Sequence, residues 1–556
     1  MAKTILSSWQ RLIQLLKLDK KDVRQIFYYA IFAGLVSLSL PLGIQAIINL
    51  IQGAQISTSW IILVILVTLG VVFAGVLQLM QMRIIENIQQ KIFTRSSFEF
   101  AYRFPKIRMS ELRNYYPPEL ANRFFDTLTI QKSLSKILVD FPTALLQIIF
   151  GLILLSFYHP FFIIYGALLV LLIYVVFKFS AQRGLDTSLM ESKQKYKVAH
   201  WIQEIARSVL GFKLSGKTSH AIAKNDSLVS EYLDARESHF RVLIQQFMHL
   251  IGFKVLVTAG LLLIGGFLVL NQLMNIGQFV AAEIIIIIVI NSVEKLILGL
   301  ESIYDTLTSI EKLAQVVDKD LEDQEGDSIM FDEDGNFTVE LESVGYSVPD
   351  RRTPILKDIN LSIKPKERVL ITGAHASGKS TLLKIIAGLI ESSTGDVFIN
   401  GRSLGGLNIN DYRSYVGQTF PSVTPFEGSI KDNLTFGNIN VEEQTITWVL
   451  EKVKLTEFVR SQKEGLRTIL YPEGQRLSAS ISRKIVLARA IINKPKLLLL
   501  KDPLDQLDKE EAKEIMNFLT DEENPWTLIV VSHNKSWGSK CQRVITLGDG
   551  QIINKS

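Results

Sequence analysis

The chain has 556 residues, a net charge of +5 and a hydrophobic fraction of 48%. This length is too great for one hydrophobic core, so two or more domains are expected, and the small net charge gives no case for a nucleic-acid binder. The single cysteine, Cys541, excludes a disulfide framework within one chain.

Six long apolar segments lie before residue 305, and none follows it. A helix needs about 20 apolar residues to cross a bilayer. A run such as EIIIIIVI among several long apolar segments favours membrane helices over buried helices of a soluble bundle. The sequence predicts six spans, roughly Ile26–Ile51, Trp60–Ile84, Phe141–Tyr158, Phe161–Phe179, Phe247–Leu270 and Ile276–Leu300.

The segments between the spans alternate between basic and neutral. Lysine and arginine are plentiful before the first span and in residues 89–140 and 180–245, whereas 52–59, 157–161 and 271–277 contain none. Because positive charge stays on the cytoplasmic side, both termini are predicted to be cytoplasmic in a multi-pass protein of the plasma (inner) membrane. The long basic segments are rich in helix formers and are predicted to continue the spans into the cytoplasm.

Two charged residues, Lys254 and Glu283, interrupt the last apolar segments. Charges within a membrane usually face a cavity or pair with each other. For Glu283, a substrate contact and a structural role both stay open.

A change of composition marks the end of the membrane domain, which we assign to residues 1–315. Residues 316–336 are acidic and polar, as is typical of a linker. The strands RVLIT, KLLLL and TLIVV follow, with helices between them, which predicts an α/β domain over residues 337–556.

The first of these strands runs into GAHASGKST, a full match to G-x-x-x-x-G-K-[ST] between a strand and a helix. The glycines let backbone N–H groups point at phosphate oxygens, and the helix N-terminus adds partial positive charge. Lys379 can reach the β- and γ-phosphates, and Ser380 can ligate Mg²⁺. The pattern predicts ATP or GTP binding by Gly373, Ala374, His375, Ala376, Ser377, Gly378, Lys379, Ser380 and Thr381.

Six spans followed by this loop resemble a half-transporter of the ABC (ATP-binding cassette) exporter family, over nearly the whole chain. The segments 103–126 and 204–217 look like the two coupling regions of that family. The resemblance implies ATP and Mg²⁺ as cofactors. It places Gln418 at the Q-loop, where it would be a catalytic residue and, together with Ser380, a metal ligand. It places His533 at the position of the catalytic switch histidine.

Several residues depart from the family pattern. LSASI, residues 477–481, falls on the signature LSGGQ, which in the family closes over the γ-phosphate of the opposite subunit. Loss of both glycines restricts the backbone there. Val348 falls where an aromatic residue usually stacks on adenine, and Tyr346 can substitute only if the strand shifts.

The run LLLLKDPLDQLD, which begins at Leu497, is predicted to be a buried parallel strand that ends in the site. The gapless register with the family puts Lys501 on the Walker B aspartate and Asp502 on the catalytic glutamate. Lys501 is expected to weaken Mg²⁺ binding. The side chain of Asp502 is one methylene shorter than that of the glutamate it replaces. A re-registered strand, with Asp502 as the metal residue, is the alternative.

The chain therefore looks like an ATP-binding half-transporter with impaired hydrolytic motifs. It is expected to move a peptide, protein or amphipathic substrate out of the cytoplasm, because its short outer loops and SLPLGIQAIIN look most like secretion subunits. A lipid or drug exporter subunit, or a non-pumping nucleotide-responsive module, is the alternative. ATP hydrolysis is expected to be slow or partner-dependent, and the expected partners are a second half-transporter, as homodimer or heterodimer, the substrate and the lipid bilayer.

Overall fold

The computed structural model describes residues 7–52, 58–331, 335, 337–349 and 351–555. Residues 53–57 of the predicted neutral connection, and 332–334 and 336 of the predicted linker, lie outside the described residues. The chain divides into two compact units. One holds the described residues up to Pro105 and Asn114–Lys319, and the other holds Lys106–Arg113 and the described residues from Asp320 onward.

The first unit consists of helices and short connections. Its α-helices are α1 (Ser8–Leu18), α2 (Lys20–Ser37), α3 (Ser39–Gln52), α4 (Thr58–Arg103), α5 (Pro117–Ala121), α6 (Asp126–Ser156), α7 (Phe161–Arg207), α8 (Val209–Leu214), α9 (His220–Leu270) and α10 (Ile276–Val317). Asn275 starts α10 with a capping box, since its side chain accepts from Gln278 N and the Gln278 side chain accepts from Asn275 N.

Four of these helices are much longer than a bilayer is thick. Helices α4, α7, α9 and α10 contain 46, 47, 51 and 42 residues. At about 1.5 Å per residue they exceed the roughly 30 Å hydrocarbon core about twofold. The predicted continuation of the apolar segments as helices is therefore confirmed.

Five described segments are long and apolar enough to cross a membrane, whereas the sequence predicted six spans. They are Lys20–Gln52, Thr58–Lys106, Pro117–Ser156, His220–Leu270 and Ile276–Val317. The remaining predicted span, Phe161–Phe179, lies at the start of α7, where the apolar stretch found among the described residues is Phe161–Val175. The membrane-type domain is confirmed, the described part of the chain contains five of the six predicted spans, and the sixth stays a prediction.

Helix α10 forms much of the core of this unit. Its Ile285 and Val289 are fully buried, and a Cβ added to Gly151 of α6 would come within 3.1 Å of Val289 Cγ2. Lys254 of α9 and Glu294 of α10 form an ion pair at 2.8 Å. Lys254 thus has a structural partner, one of the two outcomes expected for a charge among apolar residues.

The second unit is an α/β structure. Its strands are β1 (Val339–Tyr346), β2 (Leu356–Ile363), β3 (Arg368–Gly373), β4 (Thr394–Ile399), β5 (Arg402–Ser403), β6 (Val416–Thr419), β7 (Gly428–Ser429), β8 (Ile469–Leu470), β9 (Leu497–Lys501), β10 (Thr527–Val531), β11 (Arg543–Gly548) and β12 (Gln551–Lys555). Its α-helices are α11 (Lys379–Ile386), α12 (Ile409–Ser414), α13 (Ile430–Thr435), α14 (Glu443–Lys452), α15 (Thr456–Ser461), α16 (Ala479–Ile491) and α17 (Lys509–Thr520).

A six-stranded sheet in the order β12-β11-β3-β10-β9-β6 forms the centre of the second unit. Its strands from β11 to β6 run parallel, and β12 is antiparallel at the edge. Leu497–Leu500 of β9 are all fully buried, which confirms the predicted buried parallel strand. A smaller sheet, β2-β1-β4-β5, completes the unit.

Part of the predicted first coupling region belongs to the second unit. Within Lys106–Arg113, Ile107 forms a β-bridge with Leu321, and the N–H of Arg108 donates to Asp320 O at 3.0 Å. The Arg108 guanidinium also lies 3.2 Å from a carboxylate oxygen of Glu391. This short segment therefore packs with the α/β fold rather than with the helices that flank it in sequence.

Candidate functional site

The carboxyl ends of four neighbouring parallel strands bring the predicted site residues to one edge of the sheet. Strand β3 ends at Gly373, β9 at Lys501 and β10 just before His533, while Gln418 lies on β6. Loops at this edge of an open parallel sheet are the usual place for a ligand. The fold thus gathers residues that the sequence spreads over more than a hundred positions.

The loop between β3 and α11 depends on two glycines. Gly373 has φ +140° and Gly378 has φ +98°, conformations that side chains rarely adopt. A Cβ on Gly373 would lie 2.0 Å from Leu547 O, and one on Gly378 would lie 2.6 Å from Leu356 Cδ2. The loop can hold this path, against β11 and β2, only with glycine at both positions.

The loop contains a third left-handed residue that the sequence pattern did not reveal. Ala376 has φ +62°. Alanine at such a φ costs about 1–2 kcal/mol relative to a right-handed conformation, so the surrounding loop must hold it in place. The motif leaves this position unspecified, so no sequence signal pointed to it.

Lys379 folds over the loop at the start of α11. Its Nζ donates to Gly373 O at 2.9 Å, to Ala374 O at 2.5 Å and to Ser377 Oγ at 3.2 Å. Its pKa is lowered, chiefly by burial and then by the nearby Lys501 ammonium, while Asp502 opposes the shift. The loop itself accepts all three ammonium donors in this arrangement, and the positive charge at a helix N-terminus in a glycine-shaped loop fits phosphate.

Lys501 reaches the same place from β9. Its Nζ donates to Ser380 Oγ at 2.6 Å. The oxygen that the sequence assigns to Mg²⁺ therefore accepts a hydrogen bond from a cation. At about 4 Å and an effective dielectric of about 20, each pair of like unit charges costs about 4 kcal/mol, so a dication on this hydroxyl would be strongly repelled. In this arrangement the residues fit a triphosphate but do not fit Mg²⁺ at Ser380.

Two acceptors in this region have no partner among the described residues. The Oε1 atom of Gln418 and the Oδ1 atom of Asp502 are buried without a hydrogen bond. Buried acceptors of this kind are suited to a water or a cation. Asp502 also raises the pKa of Asp505, although burial of that carboxyl contributes more.

His533, which the family resemblance makes the switch histidine, lies just after β10 at the surface of the second unit. Its ring packs against that of His375 in the loop. Both side chains are exposed. The structure thus places two imidazoles beside the phosphate-binding loop, of which the family resemblance assigned a catalytic role to one.

The LSASI segment leads into α16, with Ser478 and Ala479 exposed and with Leu477 and Ile481 partly buried against the hydrophobic core. Ser478 is the N-cap, and its Oγ accepts from Ile481 N at 3.2 Å. The same Oγ lies 3.0 Å from Ser480 Oγ. Tyr346, the alternative adenine-stacking residue, instead packs against the hydrophobic core at the end of β1.

Comparison with known proteins agrees with this fold. Residues 356–505 match the family model described as ABC transporter. The chain superposes on a bacterial Atm1-family ABC exporter solved with ATP bound, with a TM-score of 0.86 over 97% of this chain and 95% of that one, at 14% identity. The second unit therefore contains an ABC transporter domain, and the chain has an ABC exporter fold.

Curated relatives match a shorter part of the chain. The ABC multidrug transporter mdr1 of Aspergillus fumigatus is 30% identical over 218 residues, 39% of this chain and 16% of that protein. The ABC multidrug transporter MDR2 of Trichophyton rubrum is 28% identical over 237 residues, 42% of this chain and 18% of that protein. The match thus spans less than a fifth of the length of either relative.

Proposed function

We propose that this chain is an ATP-binding half-transporter of an ABC exporter with weakened hydrolysis. The observation that carries the proposal is the loop Gly373–Thr381, shaped by two glycines and occupied by the Lys379 ammonium, in a chain that also has membrane-type helices. Lys379, the helix N-terminus and Lys501 together supply positive charge for a triphosphate. The cofactor is ATP.

Slow hydrolysis follows from the residues around the loop. Lys501 occupies the Ser380 hydroxyl that the family uses for metal, and Asp502 is too short to reach as far as glutamate. Phosphoryl transfer depends mostly on positioning and charge stabilisation, so displacements of this kind can cost orders of magnitude in rate. His533 and Gln418, which lie at the same edge of the sheet, are the other proposed catalytic residues.

A second half-transporter is the proposed partner. In the family, a complete site joins the phosphate loop of one subunit to the signature of another, and the exposed Ser478 and Ala479 of the LSASI segment offer such a surface. The chain therefore acts as a homodimer or heterodimer in a cell membrane, with both termini and the nucleotide-binding domain in the cytoplasm. A stable, active monomer in mild detergent would contradict this assembly.

The proposed substrate is an amphipathic molecule exported from the cytoplasm. Short outer connections and SLPLGIQAIIN favour a peptide or protein, while the names of the curated relatives favour a drug. Transport of a labelled peptide and of a lipophilic dye by the chain in lipid vesicles, each with and without ATP, separates these classes. A chain that binds ATP and moves neither would instead be a non-pumping nucleotide-responsive module.

Equilibrium binding of a fluorescent ATP analogue to the full chain in lipid tests nucleotide recognition. Lys379→Ala is expected to weaken binding about tenfold or more, because charge-assisted hydrogen bonds to phosphate are lost. Lys384→Ala, at the other end of α11, is the matched control and is expected to leave the affinity within about threefold of wild type. Equal affinities for wild type and Lys379→Ala would overturn the site assignment.

A further inference from the structure

We propose that the ammonium of Lys501 replaces the divalent cation in the nucleotide site, so that this chain binds ATP without Mg²⁺. The inference rests on the proposed function, because it requires that the loop Gly373–Thr381 binds the phosphates. It changes the form of the ligand from a magnesium complex to the free nucleotide.

The position of Lys501 is the first argument. Its Nζ lies 2.6 Å from Oγ of Ser380, the second residue of α11. An ammonium group has three donors, and Ser380 takes one of them. The other two remain for phosphate oxygens that lie over the N-terminus of the helix.

The second argument is that, among the described residues, no carboxylate forms an ion pair with this ammonium. Across the described ranges, no carboxylate oxygen lies within ion-pair distance of Lys501 Nζ, although Asp502 is the next residue and Asp505 follows soon after. The Oδ1 atom of Asp502 is buried and makes no hydrogen bond to a described residue. The charge of Lys501 is therefore free to act on an anion, and the multiply charged triphosphate is the anion that this loop accepts.

Two ammonium groups converge on the loop. Lys501 lies near enough to Lys379 to lower its pKa, after burial, and the Lys379 Nζ itself lies on the loop carbonyls. Two cations close together favour a ligand that carries several negative charges, and they repel a dication. The charge that Mg²⁺ supplies in an ordinary site is thus built into the chain.

Titrations of the full chain in lipid with a non-hydrolysable ATP analogue test the proposal, one in excess EDTA and one in millimolar Mg²⁺. The wild-type affinity in EDTA is expected to be within about threefold of the affinity in Mg²⁺, or tighter. Lys501→Asp removes the ammonium and supplies a carboxylate, so its binding is expected to weaken about tenfold or more in EDTA and to recover in Mg²⁺. Lys513→Met, on the exposed face of α17, is the control and is expected to behave like wild type.

Mn²⁺ provides a second readout that does not depend on turnover or on comparing affinities. Electron paramagnetic resonance of the nucleotide-bound chain is expected to show protein-bound Mn²⁺ in Lys501→Asp and little in wild type. Binding by wild type only when Mg²⁺ is present, or a full complement of bound Mn²⁺ in wild type, would overturn the inference and leave ATP binding intact. Failure of wild type to bind the analogue under either condition would overturn the proposed function as well.

Discussion

The backbone N–H of Asp502 donates to the carbonyl oxygen of Val531 at 2.9 Å, which fixes the residue after β9 against the end of β10. Asp502 adopts φ +47° there. Aspartate tolerates the left-handed region better than most residues. The turn therefore sets the position of the carboxylate that takes the catalytic place in the family register, and it also limits which residues can replace Asp502.

Restoring the family residues is expected to speed ATP turnover. The double variant Lys501→Asp, Asp502→Glu removes the ammonium from Ser380 and lengthens the acid, so a rise of about tenfold or more is expected, equivalent to about 1.4 kcal/mol of barrier. Phosphate release by the full chain in lipid measures it. Asp502→Glu alone keeps the Lys501 ammonium on Ser380, so no gain is expected. Equal rates for wild type and the double variant would show that Lys501 does no harm.

The role of His533 can be tested in that faster background. His533→Ala is expected to lower turnover about tenfold or more and to leave ATP affinity within about threefold, since a switch residue acts near the transferred phosphate. His375→Ala is the control, because it removes the ring that packs against His533 but leaves the loop backbone unchanged. A larger loss of turnover in His375→Ala than in His533→Ala would show that the switch role belongs to His375 and contradict the assignment to His533.

Gly373→Ala is expected to destabilise the second unit by about 3 kcal/mol or more. The new Cβ meets Leu547 O at 2.0 Å, a backbone atom that cannot move without disturbing β11, and φ is +140°. Gly437→Ala also has positive φ, +74°, but nothing lies within 4 Å, so about 1 kcal/mol is expected. Thermal unfolding of the full chain in detergent compares them. Similar losses would mean that close packing at Gly373 is unimportant.

Cys541 is expected to react slowly while the second unit is folded. Burial raises the pKa of its thiol to about 12, with Arg368 opposing the shift. At pH 8 the reactive thiolate is about 10³-fold scarcer than in an unfolded chain with a pKa near 8.5. Maleimide labelling of native and denatured chain measures the ratio, and Cys541→Ala gives the background. Equal labelling rates for the native and the denatured chain would contradict the burial of Cys541.

The raised pKa of Cys541 also makes stability depend on pH. Because the folded pKa is raised, this thiol stabilises the fold below about pH 9, and that contribution is lost between about pH 9 and 12.

Local sequence determined the elements that carry the phosphate loop. GAHASGKST between RVLIT and an apolar helix predicted a loop with its glycines at positive φ that leads into a helix N-terminus, and the structure has both features. Four consecutive leucines from Leu497 specified a strand buried on both faces. The length of each apolar segment likewise predicted membrane helices, and the alternation of basic and neutral connections predicted an orientation that stays a prediction.

Only the tertiary structure decided where the unusual residues point. The sequence left Lys501 free to swing away or to pair with Asp502, Asp505 or phosphate, because its rotamer depends on neighbours far along the chain. Parallel pairing of β9 with β10, and of β10 with β3, brings its Nζ onto Ser380 Oγ. The left-handed backbone of Ala376 could not be predicted either, because the sequence motif leaves that position unspecified. The segment Lys106–Arg113 joined the α/β unit through Leu321 and Glu391, partners more than two hundred residues away.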